Sequence, residues 1–277
     1  MRALSEIAPN LELDSSGLWI APSVSSVSYP ESGNDLYFAV EDESFWFRHR
    51  NRCILEAVRL LPPSGAIFDI GGGNGFVARS LQDDGRDVVL VEPGPRGASN
   101  ARRRGIRQVV RASFDDAGFL PDSLPAAGLF DVIEHVEGEQ AFLAALVRAL
   151  SPGGRLYLTV PAGRWLWSRE DISAGHYRRY TLASLKTALA RAGLEVEYAT
   201  CFFRFLPIPL FLRRVIPYRL GLAAKNPGER QVRADHMPGG LTARILDSMA
   251  ASELRRIQHR RVSGTGTSCL AVARKVG

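Results

Sequence analysis

One segment constrains the fold more than any other: Ile67-Phe68-Asp69-Ile70-Gly71-Gly72-Gly73-Asn74-Gly75-Phe76. Four apolar or buried-type residues run into a glycine loop, and a helical pattern follows. A second strand, Asp87-Val88-Val89-Leu90-Val91, ends in Glu92. Strand, glycine turn, helix, strand and acid in that order form the nucleotide-gripping half of an open α/β sheet. The glycines let the backbone approach a ligand closely. The acid at the second strand end can accept hydrogen bonds from two ribose hydroxyls.

The pattern of the loop discriminates between cofactors. A dinucleotide site asks for G-x-G-x-x-G, and Gly71 and Gly73 supply its first two positions. Phe76 takes the third, where glycine lets helix and strand close around a pyrophosphate. The pattern acid-x-G-x-G-x-G is met by Asp69, Gly71, Gly73 and Gly75. It suits a nucleoside that carries an amino-acid tail instead of phosphates, with Asp69 facing the ammonium.

Downstream, strands and helices alternate. A third strand is expected over Ile106–Val110, a fourth near Ala127–Asp131 and a fifth from Arg155 to Val160. Leu194–Phe203 and Thr267–Arg274 read as two more. Helices are expected over Ser44–Leu61, Gly75–Asp83, Pro95–Arg104, Glu139–Leu150 and, capped by Thr181, up to Ala192. A further helix over Leu241–Ile257 has Ile245, Met249, Leu254 and Ile257 spaced to pack. Such alternation predicts a doubly wound α/β sheet.

Further motifs join the glycine loop. Gly128-Leu129-Phe130-Asp131-Val132-Ile133-Glu134-His135-Val136 sits at the fourth strand, and Leu150-Ser151-Pro152-Gly153-Gly154-Arg155-Leu156 enters the fifth. Trp165-Leu166-Trp167-Ser168-Arg169-Glu170-Asp171 and Gly175-His176-Tyr177-Arg178-Arg179-Tyr180-Thr181 follow. Upstream stands Phe45-Trp46-Phe47-Arg48-His49-Arg50-Asn51. With these motifs in this order, the chain resembles the class I S-adenosylmethionine-dependent methyltransferases, in a bacterial small-molecule subgroup. The resemblance covers residues 44–203 and, less fully, the last strand.

The resemblance implies a Rossmann-like, doubly wound, seven-stranded, mostly parallel sheet with a C-terminal β-hairpin. It implies that Asp69, Gly71, Gly73 and Gly75 hold the methionine end of S-adenosyl-L-methionine and that Glu92 binds the ribose. Ser113 and Phe114 would lie by the adenine, where many relatives carry an acid at the serine position. Asp131 would stand near the sulfonium. The organisation expected is an N-terminal arm or lid over 1–43, the cofactor-binding core over 44–203, an acceptor-site cap over 204–262, and a final strand within 263–277.

Methyl transfer from a sulfonium is an in-line displacement, so positioning is the main demand. An oxygen or nitrogen acceptor must also lose a proton. His135 and His176, at the edge where the methyl emerges, are the candidate bases. Hydrogen bonding to the loops is the structural alternative for both. Asp131, Glu134, His135 and His176 could together bind a divalent ion, but two imidazoles are atypical for Mg²⁺, and no metal is assigned. Arg178 and Arg179 would hold either an anionic substrate or Glu170 and Asp171. Trp165 and Trp167 would line the acceptor pocket or simply pack.

Composition bounds the partners. The formal charge of +6 is spread over scattered arginine pairs, without the basic stripe and aromatic interleaving of a nucleic-acid reader. Three separated cysteines, Cys53, Cys201 and Cys269, lack ligand spacing and fit a reducing compartment. Met1-Arg2-Ala3-Leu4-Ser5-Glu6 lacks the apolar core of a signal peptide, and the most apolar window, Phe202 to Leu212, is too short to span a bilayer. A cytoplasmic enzyme is expected, acting on a small-molecule acceptor, aromatic or lipid-like. The apolar run over residues 201–214 would form core, a homodimer contact or a peripheral membrane contact. The rival readings are an RNA or protein methyltransferase, a non-catalytic cofactor-binding subunit, and a nicotinamide oxidoreductase, the last opposed by Phe76.

Overall fold

The computed structural model describes residues 3–23, 38–222 and 240–276. Its strands are β1 (Glu12–Leu13), β2 (Trp19–Ile20), β3 (Ile67–Ile70), β4 (Val88–Val91), β5 (Gln108–Arg111), β6 (Leu124–Phe130), β7 (Leu150–Pro161), β8 (Leu194–Phe202) and β9 (Ser268–Lys275). They form one sheet in the order β1-β2-β5-β4-β3-β6-β7-β9-β8. Strands β2 to β7 pair in parallel, and β9 runs antiparallel between β7 and β8. The core of the expected architecture is therefore present, with its C-terminal hairpin.

The sheet has nine strands, not seven. The two additional ones come from the segment expected to be an N-terminal arm or lid. Asp14 Oδ1 accepts from Ser16 N at 2.8 Å, Ser16 Oγ at 2.7 Å and Leu18 N at 2.9 Å. Gly17, at a φ of 80°, completes that turn. The Asx-type turn folds Glu12–Leu13 back on Trp19–Ile20, and Trp19 and Ile20 pair with Val110 and Arg111 of β5. The hairpin covers what would be an open sheet edge. Strands of two residues are too short to show alternation, so the pattern carried no signal.

Side-chain alternation along the buried strands feeds two cores. Phe68, Ile70, Val89 and Val91 join one cluster, with Leu143 and Leu146 of helix Glu139–Ala149 and Leu185 and Leu189 of helix Leu182–Arg191. Ile67, Val88 and Leu90 face the other, with Ile54 and Val58 of helix Phe45–Leu60 and Leu81 of helix Phe76–Asp83.

The late helix spans Gly240–Gln258. Ile257 and Ala250 are buried, and Leu254 packs against the second cluster. Ile245 and Met249, expected to pack, are exposed. Glu253 takes their place as an anchor: its Oε2 accepts from Phe203 N at 2.7 Å and meets His49 Nε2 at 2.8 Å, and its Oε1 accepts from Arg204 N at 3.0 Å. Phe203 sits at a φ of 56°, so a buried carboxylate fastens a left-handed corner just past β8.

Candidate cofactor and acceptor site

β3, β4, β6 and β7 are parallel, so their carboxyl ends share one sheet edge. At that edge β3 passes into the glycine loop. Gly73 (φ 53°) and Gly75 (φ 78°) are left-handed, and a Cβ at Gly73 would meet nothing within 4 Å. The backbone there borders open space. Gly72 serves packing: a Cβ on it would lie 2.8 Å from Leu90 and 2.9 Å from Asp69 Oδ2.

Glu92, just past β4, braces the loop. Its Oε2 accepts from Gly73 N at 2.9 Å and its Oε1 from Gly94 N at 2.8 Å. A Cβ at Gly97 would lie 2.9 Å from Glu92 Cγ, so the following helix lies directly against the acid's stem. A carboxylate oxygen has two lone-pair sites, so one oxygen can accept from more than one donor.

Asp69 is buried, and its Oδ2 has no hydrogen-bond partner among the described residues. Burial drives its pKa up to about 7, against the pull of Arg50 and with a push from Glu92. A buried carboxylate without a full complement of partners is costly and suits a cationic ligand. Phe76, at the position a dinucleotide loop gives to glycine, has the Arg104 guanidinium 5.0 Å from its ring. Arg104 in turn pairs with Glu41 at 2.9 Å. Ser113 caps helix Phe114–Ala117 and donates to Asp116 Oδ2 at 2.7 Å. Phe114 is buried against Phe119 and Phe142.

The tip of β6 carries the second half of the site. Asp131 adopts a φ of 59°, and its Oδ2 lies 2.6 Å from Arg50 Nε. Arg50 also donates to Phe130 O at 2.8 Å, and Thr159 Oγ1 donates to Asp131 Oδ1 at 3.2 Å. One turn on, His135 and His176 meet edge to face, with ring centroids 4.7 Å apart. His176 Nδ1 lies 2.9 Å from Asp171 Oδ1, which also accepts from Arg179 Nε at 2.7 Å. Burial raises the Asp171 carboxyl, but His176 and Arg179 more than offset this and hold it below the usual carboxylate range. Burial, and next the charge of His176, pull His135 down to about 4, against Asp131 and the carbonyls of Gly175 and Ala174. His135 is therefore neutral at neutral pH.

Glu134 is fully buried, and neither carboxylate oxygen has a hydrogen-bond partner among the described residues. Burial, then Asp131, push its pKa well above the ordinary range. Glu134, His135 and His176 offer three ligand atoms within 4.8 Å of one another. One carboxylate with two imidazoles matches a transition metal better than Mg²⁺.

The arginine pair divides its work. Arg179 goes to Asp171, as one reading of the sequence had it. Arg178 goes to Glu139 at 3.2 Å and to the carbonyls of Val136 and Glu137, both at 2.7 Å. Sequence reasoning gave no role to Arg50, and it weighed Asp171 only as a partner for the arginines. Their signals were a charged residue among the aromatics of a helix, and an acid five residues before a histidine.

A methyltransferase-domain family matches residues 42–199, more than half of the chain. The chain belongs to it. It is a member of the class I S-adenosylmethionine-dependent methyltransferases. A probable S-adenosylmethionine-dependent methyltransferase of Mycolicibacterium smegmatis is 26% identical over 171 residues, covering 61% of this chain and 66% of that protein. The ubiquinone biosynthesis O-methyltransferase of Xanthomonas axonopodis pv. citri is 27% identical over 160 residues, covering 51% and 67%. With that of Xanthomonas campestris the share is 46%, so the chain spans from under half to two thirds of the length of these relatives.

Among solved structures, Haemonchus contortus phosphoethanolamine N-methyltransferase 2 in complex with S-adenosyl-L-methionine superposes with a TM-score of 0.56 at 18% identity, covering 90% of this methyltransferase and 58% of that chain. The [4+2]-cyclase SpnF superposes at 0.54 and 16%, covering 92% and 99%. At such identities the likeness concerns the fold, and the cyclase shows that one fold accommodates more than one chemistry.

Proposed function

We propose that the chain transfers the methyl group of S-adenosyl-L-methionine to an oxygen, nitrogen or carbon atom of a small-molecule acceptor. The observation that carries this reading is the meeting, at one sheet edge, of a buried carboxylate whose Oδ2 lacks a hydrogen-bond partner among the described residues, a glycine loop that borders open space at Gly73, and a paired histidine cluster. Asp69 would face the cofactor's ammonium. The backbone at Gly71, Gly73 and Gly75 would border its methionine end, Glu92 would accept from its ribose hydroxyls, and Ser113 and Phe114 would flank the adenine. When bound, the cofactor supplies an activated methyl group on a sulfonium, and Asp131 would stand near that charge.

The protein's remaining task is to hold the acceptor in line and take its proton. His176 suits the proton-accepting role. In the neutral form of the ring, with Nδ1 donating to Asp171, Nε2 carries the lone pair. His135, neutral and beside it, can pass or share a hydrogen bond. Of the segments expected as lid and acceptor cap, residues 38–43 and 204–222 would border the acceptor site, while residues 24–37 and 223–239 lie outside the described residues. Three free, buried thiols accord with a cytoplasmic location. No described helix is long and apolar enough to cross a membrane.

Calorimetry with S-adenosylhomocysteine and with NAD tests the cofactor half, and radiolabelled methyl transfer to a panel of phenols, amines and lipid-like acceptors tests the reaction. Binding of the homocysteine compound but not NAD, with label transfer, is expected. No affinity for it overturns the reading. Affinity with no transfer on any acceptor, small or macromolecular, points instead to a cofactor-binding protein of this fold.

A further inference from the structure

β8 runs in the same direction as β7, because both pair antiparallel with β9. The chain leaving Phe202 therefore emerges at the sheet edge that carries the candidate site. Residues 204–222 follow, with helical turns over Pro207–Leu210, Phe211–Val215 and Ile216–Arg219, the middle one widened to a π-helical pitch. One side of this stretch is anchored through buried Val215.

Other side chains of the stretch are exposed to a degree unusual for apolar residues. Ile208, Leu212, Leu220 and Leu222 are 71%, 58%, 66% and 74% exposed. Trp165, from the loop after β7, is 48% exposed and packs on Phe211 with ring centroids 5.3 Å apart. Arg219 ties the two loops together: it donates to Trp165 O at 3.3 Å and lies 5.6 Å from the Phe211 ring. Scattered exposed leucines need no explanation, but several in one short segment do.

The charge of the segment selects the partner. Residues 204–222 contain Arg204, Arg213, Arg214 and Arg219 and no acid. Among the described residues, Arg214 Nε lies 3.7 Å from Glu170 Oε1. Exposed aliphatic side chains interleaved with arginines, beside a half-exposed tryptophan, match the boundary between acyl chains and anionic headgroups. A protein partner would more often be met by a mixed-charge rim around an apolar centre.

We propose that residues 204–222, together with Trp165, seat this protein on the surface of an anionic phospholipid bilayer. The contact is peripheral. It places the edge with Asp131, His135 and His176 beside the lipid boundary, so a lipophilic acceptor could enter without crossing bulk water. Binding is read without any methyl transfer.

Flotation of the full chain with vesicles of phosphatidylcholine, with and without phosphatidylglycerol, tests the proposal. Comigration with the anionic vesicles is expected, weakening as salt is raised. Tryptophan emission should shift to the blue on binding, and Trp165→Phe should remove most of that shift. The double variant Leu212→Glu/Leu220→Glu should lower partitioning by about tenfold or more, with unchanged circular dichroism, melting and affinity for S-adenosylhomocysteine. Failure of the folded wild type to float, equal binding to neutral vesicles, or undiminished binding of the folded double variant overturns it. So does self-association, without vesicle binding, that the double variant abolishes.

Discussion

His176 Nδ1 and Asp171 Oδ1 stand 2.9 Å apart, and the carboxylate of that pair is buried and shared with Arg179. An acid so held fixes which imidazole nitrogen carries the proton, and leaves the other to accept one. The capping-box bond from Ser168 N to Asp171 Oδ2, at 2.9 Å, holds the carboxylate plane as well.

Asp171→Asn keeps the shape but gives His176 a partner that no longer selects one tautomer. Turnover is expected to fall by about tenfold to a hundredfold, and His176→Gln should cost more, about 10²-fold or above. KM for the acceptor and affinity for S-adenosylhomocysteine should change little. Steady-state kinetics with separate calorimetry checks this, and an equal loss of affinity in both variants would assign the pair to structure alone.

Glu92→Ala leaves the N–H groups of Gly73 and Gly94 without their present acceptor. Affinity for S-adenosylhomocysteine is expected to fall by about a hundredfold, from lost hydroxyl contacts and a looser loop. Glu92→Gln should lie between. Titration calorimetry reads both, and unchanged affinity would remove the ribose assignment.

Asp69 gives a pH dependence with a defined sign. Its folded pKa of about 7 is above the unfolded value. Its contribution to stability is therefore fully present below the unfolded pKa and is lost as pH rises through about 7. Ligand-free Asp69→Asn should be stabilised relative to wild type by a margin that grows by roughly 2–3 kcal/mol between pH 5 and 8. The ionised acid pairs with the ligand's ammonium, so wild-type affinity for S-adenosylhomocysteine should rise with pH through about 7, and that rise should vanish in Asp69→Asn. Denaturant titrations and calorimetry across pH measure the two effects.

Glu253→Ala removes one acceptor from two backbone amides and from His49 at once. Unfolding in urea should show a loss of about 2–4 kcal/mol. Glu253→Gln, able to keep some of these bonds, should lose less. A loss under about 0.5 kcal/mol would show that helix Gly240–Gln258 is held by its apolar contacts alone.

Much of the frame was legible in the chain. The runs Ile67–Ile70 and Val88–Val91 are buried throughout, and apolar at every position but Asp69, because both faces of a parallel strand are covered. The glycines at 71, 73 and 75 appear together because the turn from β3 needs left-handed residues there. Thr181 announces its helix through a local side-chain cap. Ile245 and Met249 misled, because apolar spacing reports a helix but not which face its neighbours cover.

The sequence by itself determined the order of strands and helices, the glycine cradle and the acid at the end of β4, because each rests on contacts within a few residues of chain. Only the tertiary structure decided that Arg50 clamps Asp131, that Asp171 holds His176 against His135, and that Glu253 fastens His49 and the corner at Phe203. It also decided that the first hairpin extends the sheet past β5. Those pairings join residues whose side chains meet only after the sheet has formed. Local propensity carries no record of a partner eighty or two hundred positions away, whereas burial without water leaves each such charge dependent on finding it.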